Sequence, residues 1–235
     1  MTLTEIMAEL EALGNERHRL RYLGQGVREP VFGVTIGSMK PLLKRVGLNQ
    51  ELADQLFATG NFDAMYFAGM IAEPTKMTEA DFERWMDGAY CAMVGEWIVS
   101  VTLAEADCAI PVANRWIDST EEFRAAAGWA CYEWLLGWRP DSYFDQAAIE
   151  SLLERVVTTI HTQPDRVRYT MNNFVIAAAL SYIPTHEPAN AAAQAIGEVH
   201  IAAAKGTCAL PLASVAIQKA IDKGRLGFKR RAVRC

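Results

Sequence analysis

The sequence predicts an all-α protein built from stacked helical hairpins. Three observations carry that expectation. Apolar residues recur at helical spacing in nearly every segment, Pro and Gly breaks divide the chain at regular intervals, and strand signals are nearly absent. Only Val31–Ile36 is rich in β-branched residues, and Gly33 and Gly37 leave it too short for a strand.

Start signals place the helices in order. Thr2 and Glu5 have capping-box spacing ahead of Ile6, Leu10 and Leu13. Asn49 is positioned to cap Glu51–Thr59, its side-chain oxygen accepting from N–H groups that the first turn leaves without partners. Thr78 stands ahead of Asp81-Phe82-Glu83-Arg84-Trp85-Met86. Ser119 and Glu122 repeat the capping-box spacing before a helix through Phe123, Trp129 and Leu136. From Phe144 to about His161, Ile149, Leu152, Leu153, Val156, Val157 and Ile160 form one apolar face, with Glu150, Glu154 and Arg155 on the other. Breaks at Gly60-Asn61, Glu73-Pro74, Ile110-Pro111, Arg139-Pro140, Gln163-Pro164, Ile183-Pro184 and Leu210-Pro211 leave helices of roughly 12 to 20 residues. Paired at intervals of about 35 to 50 residues, such helices suit a solenoid; an irregular bundle would give the same punctuation.

The chain has 235 residues, 51% hydrophobic and 22% charged, which suits a full-sized core and excludes disorder. No uninterrupted apolar stretch reaches membrane-spanning length, and Glu5, Glu9 and Glu11 do not read as a secretory leader. The five cysteines (Cys91, Cys108, Cys131, Cys208 and Cys235) form no CxxC pair and read as reduced thiols of a cytoplasmic protein. Charge is unevenly placed. Lys223–Cys235 holds six bases (Lys223, Arg225, Lys229, Arg230, Arg231 and Arg234) and no acidic side chain, while the rest carries 17 bases against 28 acids, a net −11. The expected organisation is therefore one helical-repeat domain over residues 1–222 and a basic tail over 223–235. That tail suits either a polyanion or the chain's own acidic surface.

Phosphate loops, a GxGxxG turn, HExxH and GxSxG are all absent, so no cofactor is expected. His18, His161, His186 and His200 stand apart; His200, Cys208 and Cys235 lack ligand-pair spacing, so no metal is expected. Six tryptophans (Trp85, Trp97, Trp116, Trp129, Trp134 and Trp138) read mainly as packing, although one or two could press against sugars or bases. Asn172-Asn173 lies within an apolar helix. Adjacent residues point about 100° apart, so at least one amide approaches the buried side and needs a partner or a polar cleft.

Phe32-Gly33-Val34-Thr35-Ile36-Gly37 and the Leu/Lys-rich run after it resemble the N-terminal signature of the DNA alkylation repair family. Val94–Thr102, with Trp97 and Ser100-Val101, is similar to that family's Trp-rich catalytic helix. Arg115-Trp116-Ile117-Asp118-Ser119 followed by Phe123-Arg124-Ala125-Ala126 is similar to its next turn and repeat. The resemblance spans roughly residues 15 to 185. It implies HEAT-like or ARM-type hairpins stacked into a curved solenoid that holds duplex DNA in a basic concave face. There an Asp supports the cationic sugar that forms as a damaged purine leaves, and tryptophans contact the backbone.

At the positions that matter most the sequence departs from that pattern. The alignment puts Ile98 at a Trp, Thr102 at the catalytic Asp, and Ala177 at another DNA-contacting Trp. The basic residue that opens the middle repeat is Arg124, or, with a two-residue shift, is replaced by Ala126. A carboxylate about 4 Å from a developing cation contributes on the order of 4 kcal/mol, roughly a thousandfold in rate. Neutral Thr102 cannot supply it. Glu96, Glu105 and Asp107 are the candidate replacements, and Trp97, Thr102, Asn172 and Asn173 are expected to line the cleft. Arg124 and the six tail bases are the expected DNA contacts. The sequence thus points to a family member that binds DNA without the usual excision; an active glycosylase with a relocated carboxylate, or a scaffold for a protein partner, are the alternatives.

Overall fold

The computed structural model describes residues 1–202 and 210–234, about 70% of the protein being helical, with no strand among the described residues. The chain divides into two compact units, Met1–Ala109 together with Arg234, and Ile110–Val233.

The first unit contains α1 (Leu3–Ala12), α2 (Glu16–Gly24), α3 (Ile36–Val46), α4 (Gln50–Ala58), α5 (Phe62–Ile71) and α6 (Glu79–Gly88). It ends in a continuous helical stretch made of α7 (Ala92–Val94), a π turn (Gly95–Val99) and α8 (Ser100–Leu103). Capping chemistry explains several boundaries. Thr2 and Glu5 bond reciprocally at the start of α1, Asn49 accepts from the Leu52 N–H to open α4, and Thr78 pairs with Asp81 in a box at α6. The α4/α5 hairpin is the main packing pair, and α5 is buried nearly all round, with Phe67 and Ile71 fully enclosed and Asp63 its one charged residue.

Residues 30–35 are extended without belonging to a sheet, so their backbone groups must find other partners. They do. The Asp63 carboxylate, in the first turn of α5, accepts from the N–H groups of Phe32 (2.6 Å), Gly33 (3.0 Å) and Val34 (2.7 Å). Tyr22 donates its hydroxyl to the Val34 carbonyl, and the Asn15 N–H donates to that of Phe32. Gly33 is required here. Its φ is +82°, and a Cβ would lie 2.4 Å from both the Arg19 nitrogen and the Asn15 carbonyl oxygen.

The second unit follows with α9 (Ala109–Ile117), α10 (Glu122–Trp138), α11 (Gln146–Thr159), α12 (Asp165–Ser181), α13 (His186–Ile196) and α14 (Ala213–Ile221). The two 17-residue helices, α10 and α12, form its central pair, and α13 packs on both α11 and α12. Ala125, Ala126, Ala127 and Ala130 keep α10 slim, while Trp129 meets Phe174 at 5.2 Å between ring centroids. The expected Ser119–Glu122 capping box does not form. Ser119 accepts from the Glu121 N–H, and Glu122 instead accepts from the Arg166 N–H (2.8 Å) at the start of α12. A tertiary donor has outcompeted the local one.

Candidate nucleic-acid interface

The helical stretch 92–103 is where the sequence placed its chemistry. A π turn inserts one residue into the helical ladder and redirects the side chains after it. Here the Ser100 backbone N–H reaches back to the Gly95 carbonyl, and the Ser100 hydroxyl donates to the same oxygen at 2.9 Å. The outcome is a helix buried almost all round, in which Trp97 alone stands well out into solvent, at 50% exposure. An indole standing half in water on an enclosed helix offers a flat apolar face to a sugar or base.

Thr102 and Ile98 point the other way. Thr102 is fully buried, its hydroxyl donates to the Ile98 carbonyl at 2.7 Å, and both side chains press on α5. A Cβ on Gly69 would sit 3.0 Å from Ile98 Cγ2 and 3.5 Å from Thr102 Oγ1, so α5 approaches this helix without a spacer. The three candidate carboxylates are scattered. Glu96 is buried within the π turn, Asp107 is exposed, and Glu105 Oε2 accepts from Arg234 at 2.8 Å. Nearby, burial pushes the Tyr90 phenol up to about 12 and raises the Cys91 thiol. The Arg28 guanidinium lies 4.2 Å over the Tyr90 ring.

In the second unit, Asn172 is fully buried, its amide donating to the Pro211 carbonyl at 3.2 Å with its own oxygen unpartnered; Asn173 is half-buried. Arg124 is ion-paired to Glu121 at 3.2 Å. His161 and His186 bond backbone carbonyls of Ile196 and Ala179. Among the described residues no three potential ligands gather to hold a metal ion, and no helix is long and apolar enough to cross a membrane. Cys208 and Cys235 lie outside the described residues.

The six tail bases separate into two kinds. Lys229 donates to the Leu136 carbonyl at 2.8 Å and pairs with Asp141, and the Arg230 guanidinium lies 4.6 Å over Trp134 while its N–H donates to the Gly137 carbonyl. Arg234, in the first unit, donates to the carbonyls of Gly69 (2.8 Å) and Ala72 (2.9 Å) as well as to Glu105. Cations placed on the last carbonyls of α10 and α5 satisfy groups that helix ends leave without partners and oppose the helix dipole. Lys223, Arg225 and Arg231 remain exposed with no ion-pair partner among the described residues. In the first unit Arg17, Arg21, Lys40 and Lys44 are likewise exposed and unpaired. Sequence reading missed Asp63, the π turn and these carbonyl caps. The only local hint was Asn61 with Asp63 at a helix start.

Arg234→Ala is expected to lower the unfolding free energy by about 2–3 kcal/mol, because it strands two carbonyls and a carboxylate that is only 20% exposed. Lys223→Ala and Arg225→Ala should leave stability within about 0.5 kcal/mol. Urea midpoints of the three variants distinguish a structural clamp from a free tail; an unshifted Arg234→Ala midpoint would remove the clamp.

Helical hairpins of this kind, carrying one exposed Trp on a buried helix and unpaired surface cations, define a HEAT-like repeat protein. Over residues 6–189 the sequence matches the family model described as DNA alkylation repair enzyme, and the chain belongs to that family. It is similar to two uncharacterized proteins, Lin0241 of Listeria innocua and Lmo0209 of Listeria monocytogenes. Each is 28% identical over 232 residues, covering 95% of this chain and 99% of the relative. A solved structure aligns with a TM-score of 0.96 and 51% identity over 100% of both chains. It is described as belonging to a new family of proteins related to the HEAT-like repeat DNA glycosylases with affinity for branched DNA structures.

Proposed function

We propose that this protein binds branched DNA and does not excise alkylated bases. The observation that carries the reading is the helix 92–103, which keeps Trp97 exposed and fully buries Thr102, the residue that the sequence comparison sets against the family's carboxylate. The arrangement supports contact with DNA and offers no carboxylate to the cationic sugar. The affinity of a 51% identical neighbour for branched DNA supports the choice of ligand. Within the second unit, the exposed bases Lys223, Arg225 and Arg231 are the phosphate-contacting set.

The test pairs two assays on the full chain. Mobility shift should show tighter binding to a four-way junction than to a linear duplex, with affinity falling steeply as salt rises. Incubation with methylated DNA should release no 3- or 7-methylpurine above the protein-free rate. Robust release abolished by Glu105→Gln or Asp107→Asn would show a relocated active site and overturn the second half of the proposal.

One feature favours the scaffold reading as an addition: an open groove of about 600 Å³ between α11 and α13, lined by Leu153, Val157, Ala191 and Ala195 with Glu150 and Glu154 among its walls.

A further inference from the structure

The backbone of residues 225–230 is held at both ends and in the middle. The Arg225 N–H donates to the Ala220 carbonyl, that of Gly227 to Leu180 at 2.7 Å, that of Phe228 to Arg225, and that of Arg230 to Gly137. This anchored turn keeps Phe228 61% exposed, more than any other large apolar side chain among the described residues. Leu226, at 43%, flanks it on the same turn, and Ile183, at 47%, lies beside Gly227, where a Cβ would meet its Cδ1 at 3.4 Å. Single exposed apolar residues are ordinary; two large ones on a fixed turn, with Ile183 beside it, mark an interaction surface. The turn itself is cationic: Lys223, Arg225 and Arg231 are exposed with no ion-pair partner among the described residues, and no acidic side chain occurs from Lys223 to Arg234. On the Ile183 side, Asp141, Asp145 and Glu150 act on the neighbouring Tyr182, and Asp141 is paired with Lys229.

We infer that this knuckle reads the branch point itself, with Phe228 stacking on an open base-pair face and Arg225 and Arg231 holding the converging phosphates. The inference rests on the branched-DNA reading and specifies where the branch is recognised. Charge decides the occupant. Three exposed bases on one turn, in a chain of net charge −5, call for a polyanion on that side of the patch. Among polyanions, a DNA branch uniquely combines crowded phosphates with base faces that a continuous duplex keeps stacked. Aromatic and aliphatic side chains insert at such openings, whereas phosphate contacts alone would not distinguish a branch from a duplex.

The experiment measures binding of the full chain to a four-way junction and to a linear duplex of the same arm sequence, across a salt series. Phe228→Ala should weaken junction binding about tenfold or more, leave duplex binding within about twofold, and leave the salt slope unchanged. Phe228→Tyr should restore junction binding, since the ring is kept. The pair Arg225→Ala with Arg231→Ala should weaken both ligands and reduce the log–log salt slope by about 2. Thermal melts should be unchanged, because none of these side chains is enclosed; if Phe228→Ala melts early, the Tyr and double-Arg variants still decide. Junction binding by wild type with no loss in Phe228→Ala overturns the knuckle and leaves the branched-DNA reading standing. Failure of wild type to prefer the junction overturns both. Loss of self-association in Phe228→Ala, seen by sedimentation with DNA binding intact, would assign the knuckle to a second copy of the chain and overturn the inference.

Discussion

Asp63→Ala is expected to lower the unfolding free energy by about 3–5 kcal/mol, seen as a fall of about 10 °C in Tm or an equivalent shift in urea midpoint. Asp63 is fully buried, and three consecutive N–H groups, of Phe32, Gly33 and Val34, donate to its carboxylate. Removing the carboxylate strands all three in the core, and each buried donor left unpaired costs about 1–3 kcal/mol. Asp63→Asn should cost less, because its carbonyl oxygen still accepts while its amide faces a donor. Burial raises the Asp63 carboxyl above its ordinary value, even though the three N–H bonds pull the other way. The folded state therefore takes up this proton before the unfolded chain does. Asp63 adds stability as pH falls through the raised folded value toward the ordinary carboxylate range, and that contribution is lost again as pH rises through the folded value. The stability gap between wild type and Asp63→Asn should accordingly widen on going from neutral pH to about pH 4. A gap that narrows would mean that the N–H bonds outweigh burial.

What the sequence revealed and what it concealed divide along the distance of the interactions. The caps at Thr2, Asn49 and Thr78 involve partners three residues away, and each forms where its spacing placed it. The Ser119–Glu122 spacing is of the same kind, yet Glu122 is taken by an N–H 44 residues downstream, which no local pattern reports. Phe32-Gly33-Val34 was legible as a family signature. Its physical reason, a carboxylate about 30 residues later and a left-handed glycine wedged against α2, is nonlocal. The tryptophans follow the packing expectation at Trp85, Trp116 and Trp129, which are enclosed, whereas Trp97 lies exposed within a π turn whose Gly95 carbonyl accepts from the Ser100 hydroxyl. The tail shows the limit of composition. Six bases in 13 residues were legible as charge, but not that Lys229 and Arg234 would be spent on helix carbonyls. In the same way the sequence set Thr102 against the family's carboxylate and in a cleft, and gave no sign that its side chain is fully buried.

Thr102→Asp puts a carboxylate where the sequence reading expects the family's catalytic Asp, and it is expected to damage the protein rather than give excision. The side chain is fully buried, and its hydroxyl donates to the Ile98 carbonyl at 2.7 Å. A carboxylate there would face that carbonyl oxygen as a second acceptor, with Gly69 of α5 too close to allow retreat. Burying an unpaired charge is costly enough that the group would protonate, and the expected loss is about 3–5 kcal/mol at neutral pH. Stability should recover in part on acidification, because the folded carboxyl would be raised far above its unfolded value. Thr102→Val separates the two components: it keeps the volume, loses only one hydrogen bond, and should cost about 1 kcal/mol. Neither variant should release methylpurines from alkylated DNA, since a group with no exposed surface cannot approach a sugar. Ile98→Trp added to Thr102→Asp should not change this outcome, because Ile98 is itself 2% exposed and packs on the same helix. A Thr102→Asp protein that melts with wild type and excises methylated bases would show that the helix 92–103 can turn its buried face outward. Trp97 would then be one of two binding faces that this helix can present, and not the consequence of a fixed π turn.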